Sequence, residues 1–266
     1  MYKLIALDID DTLLGSDRKL HEIDRAAIAR GKAAGIKFTI ATGRSYRGSR
    51  EIMAQAGLSE MPVINYGGAQ TSLYPSGEII HVDGLDLDIV RELIRFADEL
   101  GAYIQIYDGD DYFFRSVSEE NEYYKARIGY AGKTADILTH EFKSVSKCLL
   151  IASPERAREL AALLREHFAG RLTVSGSNPR YVEINALGVD KGKALRFLTG
   201  YLGLTREEVI AVGDNTIDLA MIRYAGMGVA VGNAADIVKQ EADYIAPTND
   251  EHAVAHVIEK FIFGEG

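Results

Sequence analysis

The chain has 266 residues, 47% hydrophobic and 26% charged, with 26 Gly, 5 Pro, 1 Cys and no Trp. This composition excludes disordered, collagen-like and low-complexity chains, and the lone Cys148 excludes an intramolecular disulfide or a multi-cysteine zinc centre and suits a reducing, cytoplasmic setting. Lys+Arg 30 against Asp+Glu 39 leaves a net charge of −9, which argues against nucleic acid and anionic membrane as partners but not against a small anion in a local pocket. No apolar stretch approaches the roughly 18 residues of a membrane span. The apolar run before Asp8 is too short for a signal peptide.

In chain order, residues 3–7 form a short apolar run of the kind found in buried parallel strands. Ile23, Ala26, Ala27, Arg30 and Ala34 keep helical spacing up to a stop at Gly35. A second buried strand is predicted at 36–41 and a second helix at 45–56, ending at Gly57. Strand–helix–strand–helix implies a parallel sheet with right-handed crossovers. The pattern then changes to short strands at 62–66, 70–74 and 78–82, separated by Gly and Pro-Ser-Gly turns. A helix at 87–100, strands at 103–107 and 112–115, a helix at 119–128, a strand at 146–152 and a helix at 154–168 follow, the last with Pro154 in its first turn. Strands at 172–175 and 180–185 close this block, which reads as an α+β module with an antiparallel sheet. Alternation resumes after Gly188 with a helix at 191–202, strand 209–212, helix 216–224, strand 229–231, helix 234–241, strand 244–246 and helix 251–263. The simplest organisation is an α/β core built from residues 1–82 and 187–266, with residues 83–186 inserted as an α+β domain.

Four strand ends or helix starts carry chemistry. The first strand ends in Asp8-Ile9-Asp10-Asp11-Thr12, and ligands of open α/β sheets sit beyond the carboxyl ends of the strands. Continued alternation puts Asp8 and Asp10 on one side, where two carboxylates need a cation between them or a shared proton. Oxygen donors of this kind suit Mg²⁺. The second strand runs into Thr42-Gly43-Arg44, a hydroxyl beside the amides that open a helix, which can hold an anion. Lys191 opens another helix, where its charge opposes the dipole and calls for an anionic neighbour. The strand at 209–212 ends in Gly213-Asp214-Asn215-Thr216-Ile217-Asp218, a second acidic pair. Taken singly these are an acidic turn, a helix cap, a basic turn and another cap; together they supply nucleophile, acid, hydroxyl, ammonium and metal-binding carboxylates.

The set Asp8-x-Asp10-x-Thr12, Thr42-Gly43-Arg44, Lys191 and Gly213-Asp214-x-x-x-Asp218 resembles the haloacid dehalogenase superfamily of phosphotransferases. The insertion before Lys191 and the phrase Glu183-Ile184-Asn185 followed by Val189-Asp190-Lys191-Gly192-Lys193-Ala194-Leu195 resemble its Cof-type sugar-phosphate phosphatases, over essentially the whole chain. The resemblance implies a Rossmann-like core with an inserted cap. It also implies a Mg²⁺-dependent phosphatase acting on small phosphorylated metabolites, with Asp8 as nucleophile and Asp10 as acid and then base. Thr42, Gly43 and Lys191 would hold the phosphoryl group, and Asp8, the Asp10 carbonyl and Asp214 the metal, supported by Asp218 and Asn215. Two departures stand out: Ile217 precedes Asp218 where the family commonly has Asn, and the turn after the third strand reads Tyr66-Gly67-Gly68-Ala69 where an Asn-Gly-Ala is common. Each removes a polar side chain expected near the phosphate or the metal waters. The alternatives are a phosphomutase of the same superfamily, or a non-hydrolytic phospho-acceptor or binding protein.

Other signals carry less. Arg44 and Arg47 are candidates for substrate contact, and Arg180, Tyr181 and Glu183 in the inserted block are candidates for sensing the leaving group. His252 and His256 stand four apart on a predicted helix as zinc ligands can, but there is no H-E-x-x-H pattern and no third ligand in view, so an ordinary helix face is preferred. The glycines of residues 226–232 do not fit a dinucleotide-binding fingerprint.

Overall fold

The first strand, Leu4–Leu7, is buried along its whole length. Its alternate residues serve two cores: Ile5 and Leu7 pack with Phe38, Ile40, Ile210 and Val212, while Leu4 and Ala6 pack with Leu195, Leu198, Val209 and Ala211. A strand apolar on both faces has to lie inside a sheet covered on both sides. It does so between Val209–Gly213 and Lys37–Ile40, in a five-stranded parallel sheet that continues through Met227–Ala230 to Tyr244–Ile245. The register pairs Leu7 with Val212 on one side and Ile40 on the other, so three strands end together. The computed structural model describes residues 1–176 and 178–265.

The residues that leave those strand ends are held locally. Ser45 caps the helix Tyr46–Gln55 by accepting from Gly48 N at 3.0 Å. Asp190 caps the helix Lys191–Tyr201 by accepting from Lys193 N at 2.7 Å. The segment Ile9–Leu13 is a single wide helical turn, closed by Leu14 N donating to Ile9 O and containing Asp11 at φ 60°. Extended alternation therefore stops at Asp8, so strand periodicity does not put Asp8 and Asp10 on one side.

Residues 61–82 form a three-stranded antiparallel sheet, Met61–Asn65, Gln70–Tyr74 and Ile79–Val82, linked to the parallel sheet by a bridge from Ala41 to Ile64. The predicted helix at 216–224 begins as a tight turn, Thr216–Asp218, before Leu219–Tyr224. The predicted helix at 251–263 begins at Ala253, because His252 sits in the left-handed region at φ 63°.

By contacts the chain divides into two units, Met1–His81 with Asp190–Gly266, and Val82–Val189. The second contains a six-stranded sheet in the order Leu172–Ser175, Tyr181–Ala186, Val145–Ile151, Ile104–Asp108, Asp111–Phe114, Lys133–Thr134. Its pairs are antiparallel except the last, which is parallel. Ile104, Ile106, Cys148, Leu150, Val182 and Ile184 form one core with the helices Leu87–Glu99 and Pro154–His167. The intervening positions include Gln105, Tyr107, Lys147 and Glu183 as well as the aliphatic Leu149. The two-residue strand Lys133–Thr134 has no counterpart in the sequence reading, since both residues are exposed and carry no apolar alternation.

One close approach fixes the helix that begins at Lys191. Gly68 has φ 112°, and a Cβ there would lie 2.2 Å from the carbonyl oxygen of Asp190. Only glycine meets both conditions. Gly68→Ala should therefore destabilise the protein by about 2 kcal/mol or more, read as a lower denaturant midpoint with an unchanged slope; an unchanged midpoint would contradict this packing.

Candidate active site

The ammonium of Lys191 is wholly buried and lies 2.6 Å from Asp8 Oδ1 and 2.5 Å from Asp218 Oδ1. The other oxygen of Asp218 accepts from Asp214 N at 3.1 Å and Asn215 N at 3.0 Å. Asp218 thus accepts three hydrogen bonds, and it winds the turn that carries Asp214. Thr12 Oγ1 donates to Asp214 Oδ1 at 2.9 Å. Asp8, Asp214 and Asp218 each bring an oxygen within 4.8 Å of the others. Among the described residues, Asp8 Oδ2 and Asp214 Oδ2 receive no hydrogen bond. They are the two uncommitted oxygens of the cluster.

The charges respond to this crowding. Burial pushes the Asp8 carboxyl well up; Lys191 opposes this, and Asp218 and Asp214 add to it. Asp214 is pushed up to about 7, first by burial and then by the charge of Asp218, against the bond from Thr12 and the charge of Lys191. Burial would lower Lys191, but the charges and hydrogen bonds of Asp218 and Asp8 carry it up. Three carboxylates therefore share one lysine. Hard oxygen donors at this spacing with an excess of negative charge fit a divalent cation such as Mg²⁺.

Asp10 stands apart from this cluster, half-exposed, and forms a two-pronged pair with Arg44: Nε to Oδ2 at 2.8 Å and Nη2 to Oδ1 at 2.5 Å. Burial works to raise its carboxyl, but Arg44's hydrogen bonds and charge prevail and lower it. Thr42 is buried after the second strand; its hydroxyl accepts from Arg44 N at 3.1 Å, and its backbone is bonded to Ile64 and Gly67. Gly43 follows it in the turn. Arg47 is exposed in the first turn of the following helix.

The remaining candidates have their own surroundings. Asn215 is exposed and caps the turn at Thr216–Asp218. Ile217 is half-buried in that turn. Asn65 is buried and donates to Ser49 Oγ at 3.1 Å, while a Cβ on Gly67 would meet open space. Arg180, Tyr181 and Glu183 belong to the second unit. There the Arg180 guanidinium lies 4.0 Å over the Tyr123 ring and its Nε donates to Ala152 O. The Tyr181 ring meets Tyr123 and Tyr124, and Glu183 lies 3.6 Å from the Lys147 ammonium. His256 pairs with Tyr244 Oη at 2.8 Å, and His252 with Asp24 at 3.2 Å, so the two histidines do not act together. The Asp10–Arg44 pair and the Lys191–Asp218 pair have no signature in the sequence, because both depend on how separate segments meet.

A parallel sheet with acidic residues beyond the carboxyl ends of two neighbouring strands and a buried lysine between them is a ligand site at the sheet's carboxyl edge. Comparison with known proteins makes the class specific. Residues 5–258 match the profile of the haloacid dehalogenase-like hydrolases. The chain is 31% identical over 260 residues to 5-amino-6-(5-phospho-D-ribitylamino)uracil phosphatase YcsE of Bacillus subtilis (strain 168), covering 98% of this chain and 96% of that one. A haloacid dehalogenase-like hydrolase from Bacteroides thetaiotaomicron superposes with a TM-score of 0.89 at 33% identity, covering 98% of this chain and all (100%) of that one. TM0651 from Thermotoga maritima superposes with a TM-score of 0.88 at 31% identity, covering 98% of each chain. The chain belongs to the haloacid dehalogenase-like hydrolases. Among the described residues, no helix is long and apolar enough to cross a membrane.

The raised Asp214 carboxyl has a consequence for stability. An unfolded aspartate titrates near pH 4, so between about pH 4 and about 7 the Asp214 carboxyl of the metal-free protein is protonated in the folded chain and ionised in the unfolded one, and its contribution to stability falls as pH rises through that window. The Asp8 carboxyl acts in the same direction. Denaturant titrations of the metal-free protein at pH 5 and pH 7.5 should show lower stability at the higher pH, a difference that Asp214→Asn reduces. A stability that rises over this range, and equally so in Asp214→Asn, would refute the electrostatic description.

Proposed function

We propose that this protein hydrolyses small sugar or polyol phosphate monoesters through a phosphorylated Asp8. The chain is a phosphoric monoester hydrolase; the path, the metal and the substrate class are the proposal. The observation that carries it is the state of Asp8: one oxygen is held by the buried Lys191, and the other is uncommitted just beyond the first strand.

In the first step an Asp8 oxygen forms a bond to phosphorus as the ester P–O bond breaks, and Asp10 gives a proton to the departing alkoxide. In the second, Asp10 takes a proton from water as that water attacks phosphorus, which releases inorganic phosphate and restores Asp8. Lys191 has three N–H donors and spends two on Asp8 and Asp218, which leaves one for a phosphoryl oxygen. The Thr42 hydroxyl, which accepts from Arg44 N, keeps its own proton to donate to another, beside the Gly43 amide. Asp8 and Asp214, with the Asp10 carbonyl, would hold Mg²⁺, which supplies charge neutralisation where phosphate meets carboxylates.

Arg44 gives the cycle a means of timing. While paired with Arg44, Asp10 is held ionised and unfit to donate a proton. Transfer of the guanidinium to the substrate phosphate frees the Asp10 carboxyl to be protonated, so that the acid forms when substrate is present. Arg47 is proposed to contact the leaving group, and Arg180, Tyr181 and Glu183, within their own unit, are proposed to influence substrate preference. A sugar or polyol phosphate is favoured because the relative YcsE is named for a substrate with a phosphorylated ribityl chain.

The test is phosphate release over a panel of sugar, polyol, nucleotide and vitamin phosphates. Turnover should require Mg²⁺ and return after EDTA when Mg²⁺ is restored. Asp8→Asn should lose about 10³-fold or more in kcat. Activity that survives both EDTA and Asp8→Asn would overturn the mechanism, and an isomeric sugar phosphate accumulating in place of inorganic phosphate would identify a mutase.

A further inference from the structure

A second group of metal-binding side chains lies in the same unit but apart from the acidic cluster. His21, Asp24 and His252 each bring one donor atom within 4.8 Å of the others. His21 precedes the helix Glu22–Ala33 at its N-cap position without a capping hydrogen bond, and Asp24 sits in the first turn, three residues on and on the same face. His252 comes from the far end of the chain, just before the helix Ala253–Ile258. The two rings are part-exposed, at 28% and 30%, over an Asp24 side chain that is 4% exposed, so the group forms a cup open to solvent with a carboxylate at its floor.

Internal bonding accounts for only part of this arrangement. Asp24 Oδ1 accepts from Ala255 N at 2.9 Å, which ties the two helices together through backbone and needs neither imidazole. His252 lies 3.2 Å from Asp24 Oδ2 but holds a left-handed conformation, φ 63° and ψ 50°. That conformation costs a side-chain-bearing residue about 1 kcal/mol or more, and glycine would adopt it without strain. The His21 ring lies edge-on to His252 with centroids 5.4 Å apart. It is wedged against Gly15, where a Cβ would come within 2.6 Å of its Cε1. Asp17 adds a carboxylate oxygen 3.2 Å from His21 Nε2 at the rim. Two imidazoles thus converge on one buried carboxylate, at a backbone cost that the fold does not require.

We propose that His21, Asp24 and His252 form a second metal site, which takes Zn²⁺ or a similar transition-metal ion with water completing the coordination. Two nitrogens and one oxygen form a donor set suited to such ions, unlike the all-oxygen cluster at Asp8. Bonds of about 2.0–2.2 Å in a four-coordinate site put ligands about 3.4 Å apart, so the part-exposed rings need to close inward by only about an ångström or so. The ion would staple the start of the helix Glu22–Ala33 to the C-terminal helix.

The test is equilibrium dialysis of the metal-stripped full chain against Co²⁺ with Mg²⁺ in large excess, followed by a visible spectrum. One Co²⁺ should be retained per chain, with the intense absorption of a four-coordinate ion that a hexahydrated or all-carboxylate ion lacks. His21→Ala and His252→Gly should each weaken retention at least tenfold, and Asp214→Asn should leave it intact. Because glycine suits the left-handed position, His252→Gly keeps the fold and separates ligand loss from misfolding. The proposal is overturned if the stripped chain retains no Co²⁺, if both histidine variants retain as much as the parent, or if Asp214→Asn abolishes retention. The last outcome would assign the ion to the acidic cluster instead.

Discussion

The buried Lys191 ammonium, held between Asp8 and Asp218, is the interaction on which the rest of the site depends. A buried cation is tolerated only when paired and hydrogen-bonded, and removing either partner leaves an uncompensated charge. Several features of the sequence exist to bring that cation to the sheet. The first strand has to end at Leu7 so that Asp8 emerges beside Val212. The helix that carries Lys191 has to start against Gly68, where no larger residue fits. The loop after Val209–Gly213 has to wind tightly enough for Asp218 to bond two of its own backbone amides while facing the lysine.

The balance of charge follows from that geometry. One lysine faces three carboxylates, and the energy is relieved by pushing Asp8 and Asp214 toward their protonated forms. Because Asp218 already accepts three hydrogen bonds, the oxygens of the cluster without one are Asp8 Oδ2 and Asp214 Oδ2 among the described residues. Asp10 belongs to a different pairing and is charged for a different reason, the guanidinium of Arg44. Two aspartates separated by one residue are thus driven in opposite directions in the metal-free chain, Asp8 toward its protonated form and Asp10 toward its charged form. The chain's net charge of −9 does not exclude a phosphate ester, since a local excess of carboxylate suits a divalent cation.

Much of this was legible in the sequence where the signal is local. Apolar runs ending in Asp8, Thr42 and Asp214 mark strand ends without any tertiary information, and the two-part chain with its inserted α+β block follows from the change in periodicity. The family resemblance named the same residues. What escaped was set by contacts between distant segments. The wide turn at Ile9–Leu13 looks like continued strand because Ile9 is apolar, yet Asp11 takes a positive φ. The Arg44–Asp10 pair joins residues 34 apart in sequence. His252 was read with His256 because they are four residues apart, whereas the fold turns His252 toward Asp24 and His256 toward Tyr244.

The central claim is that Asp8 becomes covalently phosphorylated during turnover. The most direct measurement is a rapid acid quench of the enzyme with Mg²⁺ and a sugar phosphate that it turns over, followed by peptide mass spectrometry of the segment containing Asp8. The account predicts one phosphoryl group on Asp8, appearing and disappearing within a turnover and accumulating in Asp10→Asn. Continued phosphate release with no phosphoryl group on Asp8 in either protein would contradict it.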